Sequence, residues 1–197
     1  MSNAEAIVDV PTLEEAIGRH PRVNLGFFPT PLHECSRLTR LLKGPRILMK
    51  RDDCTGLALG GNKTRHLEFS VGEALARKAD VVLAGAAIHS NYCRQAAAAA
   101  ALHGLECHLI LARVGKINPV IQGNFFTDHL FGAHIELADV PMGEPVQVLL
   151  RAAEEKLRAQ GRSPYGLLTR PRCEVLGALS YVRALIELNR QLDELQV

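Results

Sequence analysis

Apolar and polar residues alternate along the chain in blocks that have the lengths of strands and helices. Short apolar runs predict buried strands, at residues 46–51, 81–84, 107–112, 134–137 and 166–169. Longer alanine-rich or amphipathic blocks predict helices, at residues 12–20, 63–78, 91–103, 122–131, 144–160 and 176–195. Thr12 is the predicted N-cap of the first helix, because threonine is a favoured capping residue. This order predicts an α/β fold in which helices cover a parallel sheet.

A glycine pair precedes the helix predicted at residues 63–78, within the stretch KRDDCTGLALGGNKTRHLE. Asn62 can cap this helix, and Lys63 falls in its first turn. The positive end of the helix dipole disfavours a cation by about 0.3–1 kcal/mol, so the same field favours a neutral, nucleophilic amine. Local physics also allows a solvated Lys63 after an ordinary glycine turn.

A second polar stretch, AGAAIHSNYCRQ, follows the short apolar strand at residues 81–84. Ser90 and Asn91 place a hydroxyl and an amide where the alanine-rich helix begins, and helix N-termini bind anions and polar ligands readily. Serine and asparagine are also common N-caps without any further role. The stretch taken alone leaves both interpretations open.

Charge and cysteine content exclude several classes of function. A net charge of +2 is too small to indicate a nucleic-acid or membrane surface, and no apolar run approaches the ~20 residues of a membrane span. The first residues lack the basic-then-apolar order of a signal peptide, so a cytoplasmic location is expected. The five cysteines are scattered without a CxxC pair, which predicts reduced thiols, and no ligand pair has zinc-site spacing, which predicts no metal site.

Five sequence words in the same order carry a resemblance to a known family. They are FFPTPLHECSRL (27–38), KRDDCTGLALGGNKTRHLE (50–68), AGAAIHSNYCRQAAAAAALHGLECHLIL (84–111), QGNFFTDHLFGAHIEL (122–137) and LGALSYVRALIEL (176–188). The chain resembles the family of D-cysteine desulfhydrase, L-cysteate sulfo-lyase and 1-aminocyclopropane-1-carboxylate (ACC) deaminase. These are pyridoxal-phosphate (PLP) enzymes of the tryptophan-synthase-β-like fold type II.

The resemblance implies both a cofactor and a reaction. Lys63 is implied as the Schiff-base lysine of PLP, with Asn62 beside it, and Asn91 as the partner of the pyridine 3′-oxygen. Ser90 is implied in proton transfer or carboxylate binding, and Gln95 in facing the substrate. The implied reaction is a lyase or deaminase reaction on a small amino acid such as D-cysteine, cysteate or ACC. It releases ammonia and a 2-oxo acid.

Three departures from the family pattern leave a second function open. The family usually has a lysine at the phosphate-contacting position where this chain has His66, whose protonated form would replace part of the lost charge. The small polar loop expected before LGALSYV is replaced by residues 171–174, PRCE. Family members are also longer, and no glycine-rich phosphate loop is recognisable at residues 138–197. The alternative is therefore a degenerate, non-catalytic relative that acts as a binding or interaction protein.

The resemblance also implies a domain division and partners. Residues 51–160 correspond to a small three-layer α/β domain that carries the lysine helix, whereas residues 1–50 and 161–197 belong to an incomplete large domain. The last predicted helix has a wide apolar face, which in the family packs against later elements. We therefore expect a homo-oligomer, or a heteromer with a chain that supplies the missing half, and we expect little lyase activity from this chain alone.

Overall fold

The computed structural model describes residues 9–113, 120–168 and 171–196. In chain order these residues form α1 (Val10–Gly18), β1 (Leu32–Glu34), α2 (Ser36–Leu42), β2 (Leu48–Lys50), α3 (Lys63–Ala76), β3 (Val81–Ala87), α4 (Asn91–Leu102), β4 (Glu106–Ala112), α5 (Gly123–Leu130), β5 (His134–Ala138), α6 (Glu144–Ala159), β6 (Pro164–Gly166) and α7 (Pro171–Glu194). Two short 3₁₀ turns, Asp52–Thr55 and Leu57–Leu59, lie between β2 and α3.

The four strands β5, β4, β3 and β6 form one parallel sheet in that order, which confirms the predicted α/β class. Successive side chains of a strand point to opposite faces. Val82 and Leu109 therefore pack with α3 and α4 on one face, whereas Leu83 and Ile110 pack with α6 on the other. The sheet thus lies between two helical layers, and the carboxyl ends of its strands face the start of the helices that follow them.

Small residues bring the helices close to the sheet. The alanines at the centre of α4 are almost completely buried in the larger core. On the opposite face, a Cβ atom added to Gly85 of β3 would lie 2.7 Å from Val146 and 2.9 Å from Leu150 of α6. The alanine-rich run therefore packs tightly on the sheet, as its high helix propensity and small side chains permit.

The chain outside the sheet packs around α3. Leu176 and Ile186 of α7 are buried with Phe69 of α3 and Ile17 of α1, so part of the apolar face of α7 is covered within the described residues. Leu185, on the same helix, stays exposed. The N-terminal segment is held by α3 as well, because buried Glu68 accepts hydrogen bonds from the Arg22 guanidinium (2.7 Å) and the Leu25 N–H (3.0 Å). The residues before β1 therefore belong to the same packed unit.

Several predicted boundaries are wrong for local reasons. Helix α1 begins at Val10, because Asp9 rather than Thr12 provides the cap and accepts the Thr12 N–H at 2.7 Å. The strand predicted at 46–51 is shorter in the structure, where only β2 forms, and it pairs antiparallel with β1. The strand predicted at 166–169 lies earlier, at β6, and Thr169 lies outside the described residues. The other helix and strand ends lie within a few residues of their predicted positions.

Residues 171–174, which replace the polar loop expected from the family, form the first turn of α7, so this helix begins five residues before the predicted Leu176. Proline suits the first turn of a helix because its missing N–H has no intrahelical partner there, and its fixed φ is already helical. Cys173 is fully buried, and its thiol donates a hydrogen bond to the Gly166 carbonyl at 3.2 Å. The loss of the family's glycines at this point therefore coincides with a longer helix.

The described helices include none that is long and apolar enough to cross a membrane. The division into 1–50, 51–160 and 161–197 stays a prediction, although β6 pairs with β3 in the same sheet as the preceding strands.

Candidate functional site

The loop that precedes α3 is held in one conformation by Thr55. Its hydroxyl donates to the Gly61 carbonyl and accepts from the Gly61 N–H, each at 2.9 Å. Gly60 has a φ of +76°, and a Cβ atom there would lie 1.9 Å from the Asp53 carbonyl oxygen. This position therefore requires glycine. Gly60 and Gly61 therefore form a tight turn that places Asn62 and Lys63 at the start of α3.

The first turns of α4 bind this loop directly. The Arg94 guanidinium donates to the Gly60 carbonyl at 2.8 Å, and the Gln95 amide donates to the same oxygen at 2.9 Å. The Gln95 carbonyl accepts from the Thr64 hydroxyl at 2.7 Å, so both ends of its amide are used. The beginnings of α3 and α4 are therefore joined side by side, at the carboxyl end of β3.

Gln95 lies in a different setting from the one that the sequence predicts. It is fully buried between α3 and α4, and its amide holds the Gly60 loop, so the structure gives it a supporting position. Its predicted contact with a substrate stays a prediction.

Lys63 is the first residue of α3 and is partly buried. Within the part of the chain that the structure describes, its amine makes no hydrogen bond and no ion pair. Asn62 precedes it, but its side chain does not cap α3 as predicted. The Asn62 amide instead donates to the hydroxyl of Tyr181 on α7 at 2.6 Å. The lysine therefore starts the helix while its neighbour is bound to α7.

His66 lies one turn after Lys63 and is enclosed between α3, α4 and α7. Its ring is 5.3 Å from the ring of Tyr92, and a Cβ atom added to Gly177 would lie 3.3 Å from it. Burial lowers the pKa of His66; a hydrogen bond with the Cys173 backbone raises it, and the nearby charge of Lys63 lowers it further. Its Nε2 atom is buried and has no hydrogen-bond partner among the described residues. The protonated His66 that the sequence suggests is therefore disfavoured while no anion is present.

Ser90 and Asn91 begin α4, as predicted. The Ser90 hydroxyl oxygen accepts from the N–H groups of Tyr92 (3.1 Å) and Cys93 (3.3 Å), which makes it the N-cap. The exposed Asn91 side chain accepts a hydrogen bond from the Asn124 amide at 2.9 Å. Asn124 also donates to the His89 carbonyl at 2.7 Å. Asn91 is therefore oriented by α5, and Ser90 caps α4.

Three residues around the site received no role from the sequence: Tyr92, Asn124 and Tyr181. Each lies in one of the sequence words quoted above, but its spacing in the sequence does not reveal its contact in the structure. Tyr92 contacts His66, Asn124 contacts Asn91, and Tyr181 contacts Asn62. The distance between the Lys63 amine and the Asn91 side chain, predicted at about 10 Å or less for a ring that touches both, stays a prediction. In this arrangement the Lys63 amine can react with a carbonyl group of a ligand, and the His66 imidazole can bind an anionic group.

Solved structures place this arrangement in a known fold. An ACC deaminase homologue superposes with a TM-score of 0.83 at 34% identity, covering 92% of this chain and 54% of the homologue. Diaminopropionate ammonia lyase from Escherichia coli superposes with a TM-score of 0.69 at 18% identity, covering 96% of this chain and 50% of the lyase. At that identity the second match supports the fold alone.

Sequence relatives agree with the structural match. D-cysteine desulfhydrase from Salmonella paratyphi B is 39% identical over 179 residues, which cover 89% of this chain and 53% of the relative. The chain thus spans about half the length of the curated relatives it matches. The family model for the pyridoxal-phosphate dependent enzymes matches residues 23–195. The match includes the joined helix starts of α3 and α4 and all of α7, so the chain belongs to the family of pyridoxal-phosphate dependent enzymes.

Proposed function

We propose that this chain is the lysine-bearing part of a PLP-dependent lyase or deaminase that acts on a small amino acid of the D-cysteine, cysteate or ACC type. The reaction releases ammonia and a 2-oxo acid. One observation carries the proposal: among the described residues, the buried His66 Nε2 atom has no hydrogen-bond partner, and the nearby Lys63 amine is also free of one. A stable fold normally pairs a buried polar atom such as His66 Nε2 internally.

The residues at the start of α3 and α4 fit PLP chemically. Lys63 would hold the aldehyde carbon, and Asn91 would face the ring oxygen. His66 would meet the phosphate, because its unpartnered Nε2 can donate a hydrogen bond to an oxygen atom once protonated. An anion beside His66 favours the charged imidazole and so opposes the effect of burial. Asn62, bound to Tyr181, would shape the side of the site that faces α7.

The chain's own residues can move protons and bind a carboxylate. PLP, when bound, supplies an electron sink for the bonds at the α-carbon of the substrate. The Lys63 amine, once neutral, can accept a proton, and the Ser90 hydroxyl can donate a hydrogen bond to a substrate carboxylate while its oxygen caps α4. The N-terminus of α4 attracts the same carboxylate. Gln95 and Thr64 hold the loop and the helix in place, so these groups stay aligned.

We further propose that efficient turnover needs the half of the family fold that is not represented in these residues, supplied by the same polypeptide or by a second one. Two observations support this: the chain matches only about half of its relatives' length, and α7 leaves Tyr181 and Leu185 exposed beside the site. We expect little or no pyruvate release from D-cysteine by residues 1–197 with added PLP. Efficient turnover by these residues alone would contradict this requirement.

Covalent trapping tests the role of Lys63. After incubation with PLP and reduction with borohydride, peptide mapping should find the label on Lys63, and the Lys63→Arg variant should lose it. Lys78 and Lys156 are the matched controls, since both are exposed and lie away from the loop that binds α4, in the turn after α3 and on α6. A label distributed over surface lysines, or a Lys63→Arg variant that is labelled as strongly as the wild type, would favour the degenerate, non-catalytic alternative.

A further inference from the structure

Three potential metal ligands meet at the end of the sheet opposite to the candidate site. Glu106 is the first residue of β4 and His134 is the first residue of β5, whereas the candidate site follows the last residue of β3. His108 lies two residues after Glu106 on β4, so both side chains point to the same face of the sheet. The cluster is therefore built on two adjacent strands.

The register of the sheet holds the two histidines together. His108 and His134 are paired residues of β4 and β5, and their ring centroids are 4.9 Å apart. The Glu106 Oε1 atom lies 2.5 Å from His108 Nε2 and 3.4 Å from His134 Nε2. One ligand atom from each residue can be chosen so that all three lie within 4.8 Å of one another. Metal–ligand distances of about 2.0–2.2 Å place the ligand atoms of a tetrahedral zinc ion about 3.3–3.6 Å apart, so binding requires only side-chain rotations within this cluster.

Arg162 orients the carboxylate of this cluster. Its guanidinium donates to Glu106 Oε2 at 2.7 Å and to Asp80 Oδ2 at 2.7 Å. The second carboxylate oxygen, Oε1, is therefore directed toward both histidines. A contact of this kind, in which a neighbouring group fixes the orientation of a ligand, commonly supports metal sites.

The cluster also has the accessibility and charge that an ion needs. The side chains of His108 and Glu106 are 28% and 31% exposed, and that of His134 is 65% exposed, so an ion can enter from solvent. Glu106 contributes a carboxylate oxygen, which supplies negative charge to a divalent cation. Two imidazoles and one carboxylate match the ligand preference of zinc and of neighbouring divalent transition metals.

We propose that Glu106, His108 and His134 bind one divalent transition-metal ion, with zinc as the representative ion and water at the remaining position. This site differs from the PLP site in position and in chemistry. Binding would join β4 to the edge strand β5, and so would stabilise the sheet on the side away from Lys63. The sequence indicated no metal site because His134 lies 26 residues after His108, and only the parallel pairing brings them together.

Zinc titration of the full chain, followed by calorimetry, tests the proposal, and visible absorbance with cobalt reports the ligand environment. We expect one zinc ion per chain and a rise of about 5 °C or more in the unfolding midpoint when zinc is in large excess over its Kd. His134→Gln and Glu106→Gln should each weaken binding about tenfold or more. His129→Gln, an exposed histidine on α5, is the matched control and should bind zinc as the wild type does.

Two outcomes would overturn the proposal. One is the absence of zinc binding by the wild type. The other is unchanged binding by His134→Gln, which would assign the ion to other groups such as the partly exposed Cys35 and exposed Cys54. Because His134 is largely exposed, its variant should keep the wild-type unfolding midpoint in the presence of a chelator, and this measurement separates a lost ligand from a damaged fold. Arg162→Gln should weaken zinc binding less than His134→Gln if Arg162 only orients Glu106.

Discussion

Side chains on the first turns of α3 differ in whether the described residues provide them with hydrogen-bond partners. Arg65 is 2% exposed, and its guanidinium donates to both oxygens of Asp52 (2.7 and 2.8 Å), to Glu187 (2.9 Å) and to the Thr30 hydroxyl (3.0 Å). Lys50 completes this cluster by donating to Glu187. We call these five residues the Arg65 network. Lys63 and His66, directly beside Arg65 in sequence, instead carry polar atoms for which the described residues provide no partner.

This difference distinguishes residues that stabilise the fold from residues that are candidates for binding a ligand. Burying an unpaired charge is costly, and a folded chain normally satisfies its buried polar atoms. The Arg65 network follows this rule and links the N-terminal segment to α3 and α7. His66 departs from it next to Lys63, whose partly exposed amine also has no partner among the described residues. Departures from such a rule concentrate at functional sites, which is why the same helix contains both an anchor and a candidate active site.

Removing the centre of the network should have the largest effect. Arg65→Ala leaves Asp52 and Glu187 buried without their main partner, and breaking a buried ion pair in this way costs about 3–5 kcal/mol. Lys63→Ala removes a side chain without a described partner and should change the free energy of unfolding by less than about 0.5 kcal/mol. Urea denaturation of both variants measures the contrast. A similar loss of unfolding free energy in the two variants would contradict the distinction between the stabilising Arg65 and the candidate site residue Lys63.

The pH dependence of stability should have opposite signs for a paired and an unpaired buried carboxyl group. Burial opposes the ionisation of Glu187, but hydrogen bonds from Arg65 and Lys50 outweigh it and lower its pKa from 4.5 to about 2. Its stabilising effect is present above pH 4.5 and is lost as the pH falls toward 2. Asp128 is fully buried, and its carboxylate oxygens have no hydrogen-bond partner in the part of the chain that the structure describes; burial raises its pKa from 3.8 to about 7, against the opposing charge of Arg94. Folding therefore weakens as the pH rises from 3.8 to 7.

Unfolding midpoints measured between pH 2.5 and 8 test these signs. Asp128→Asn should remove the loss on going from pH 4 to pH 8 and should exceed the wild type in stability at pH 8. Glu187→Gln should be less stable than the wild type at neutral pH and should flatten the decline below pH 4.5. A control is Asp139→Asn, since Asp139 is exposed and pairs with Arg113 at the surface. If Asp128→Asn lowered stability at pH 8, the buried carboxyl group would need a partner that stabilises its charged form.

Capping provides the smallest contrast, between the two residues that precede α3 and α4. Ser90→Ala removes a hydroxyl that accepts two backbone N–H groups and should cost about 1 kcal/mol. Asn62→Ala removes no capping bond, and its exposed hydrogen bond to Tyr181 should contribute less than about 0.5 kcal/mol. Thermal or urea unfolding of the two variants measures this difference. An equal loss would mean that Asn62 stabilises the start of α3 through Tyr181.

Local signals predicted the elements that present the candidate site. The glycine pair before Lys63, the serine and asparagine before the alanine run, and the apolar strand between the two helices were readable because each depends on neighbours in sequence. The start of α7 was predicted five residues too late, at Leu176, because the PRCE segment has no apolar periodicity that indicates a helix. Gln95 was interpreted as facing a substrate, because nothing in the sequence shows that Gly60 and Thr64 occupy both ends of its amide.

The sequence by itself determined the α/β class, the order of most elements, the family and the lysine at the start of α3. These follow from periodicity, propensity and short motifs, which act over a few residues. Only the tertiary structure decided that Glu187 neutralises Arg65, that Tyr181 binds Asn62, and that His134 meets His108 and Glu106. Each of these contacts joins residues that lie 26 to 122 positions apart, and such pairs are set by sheet register and helix packing rather than by any local preference.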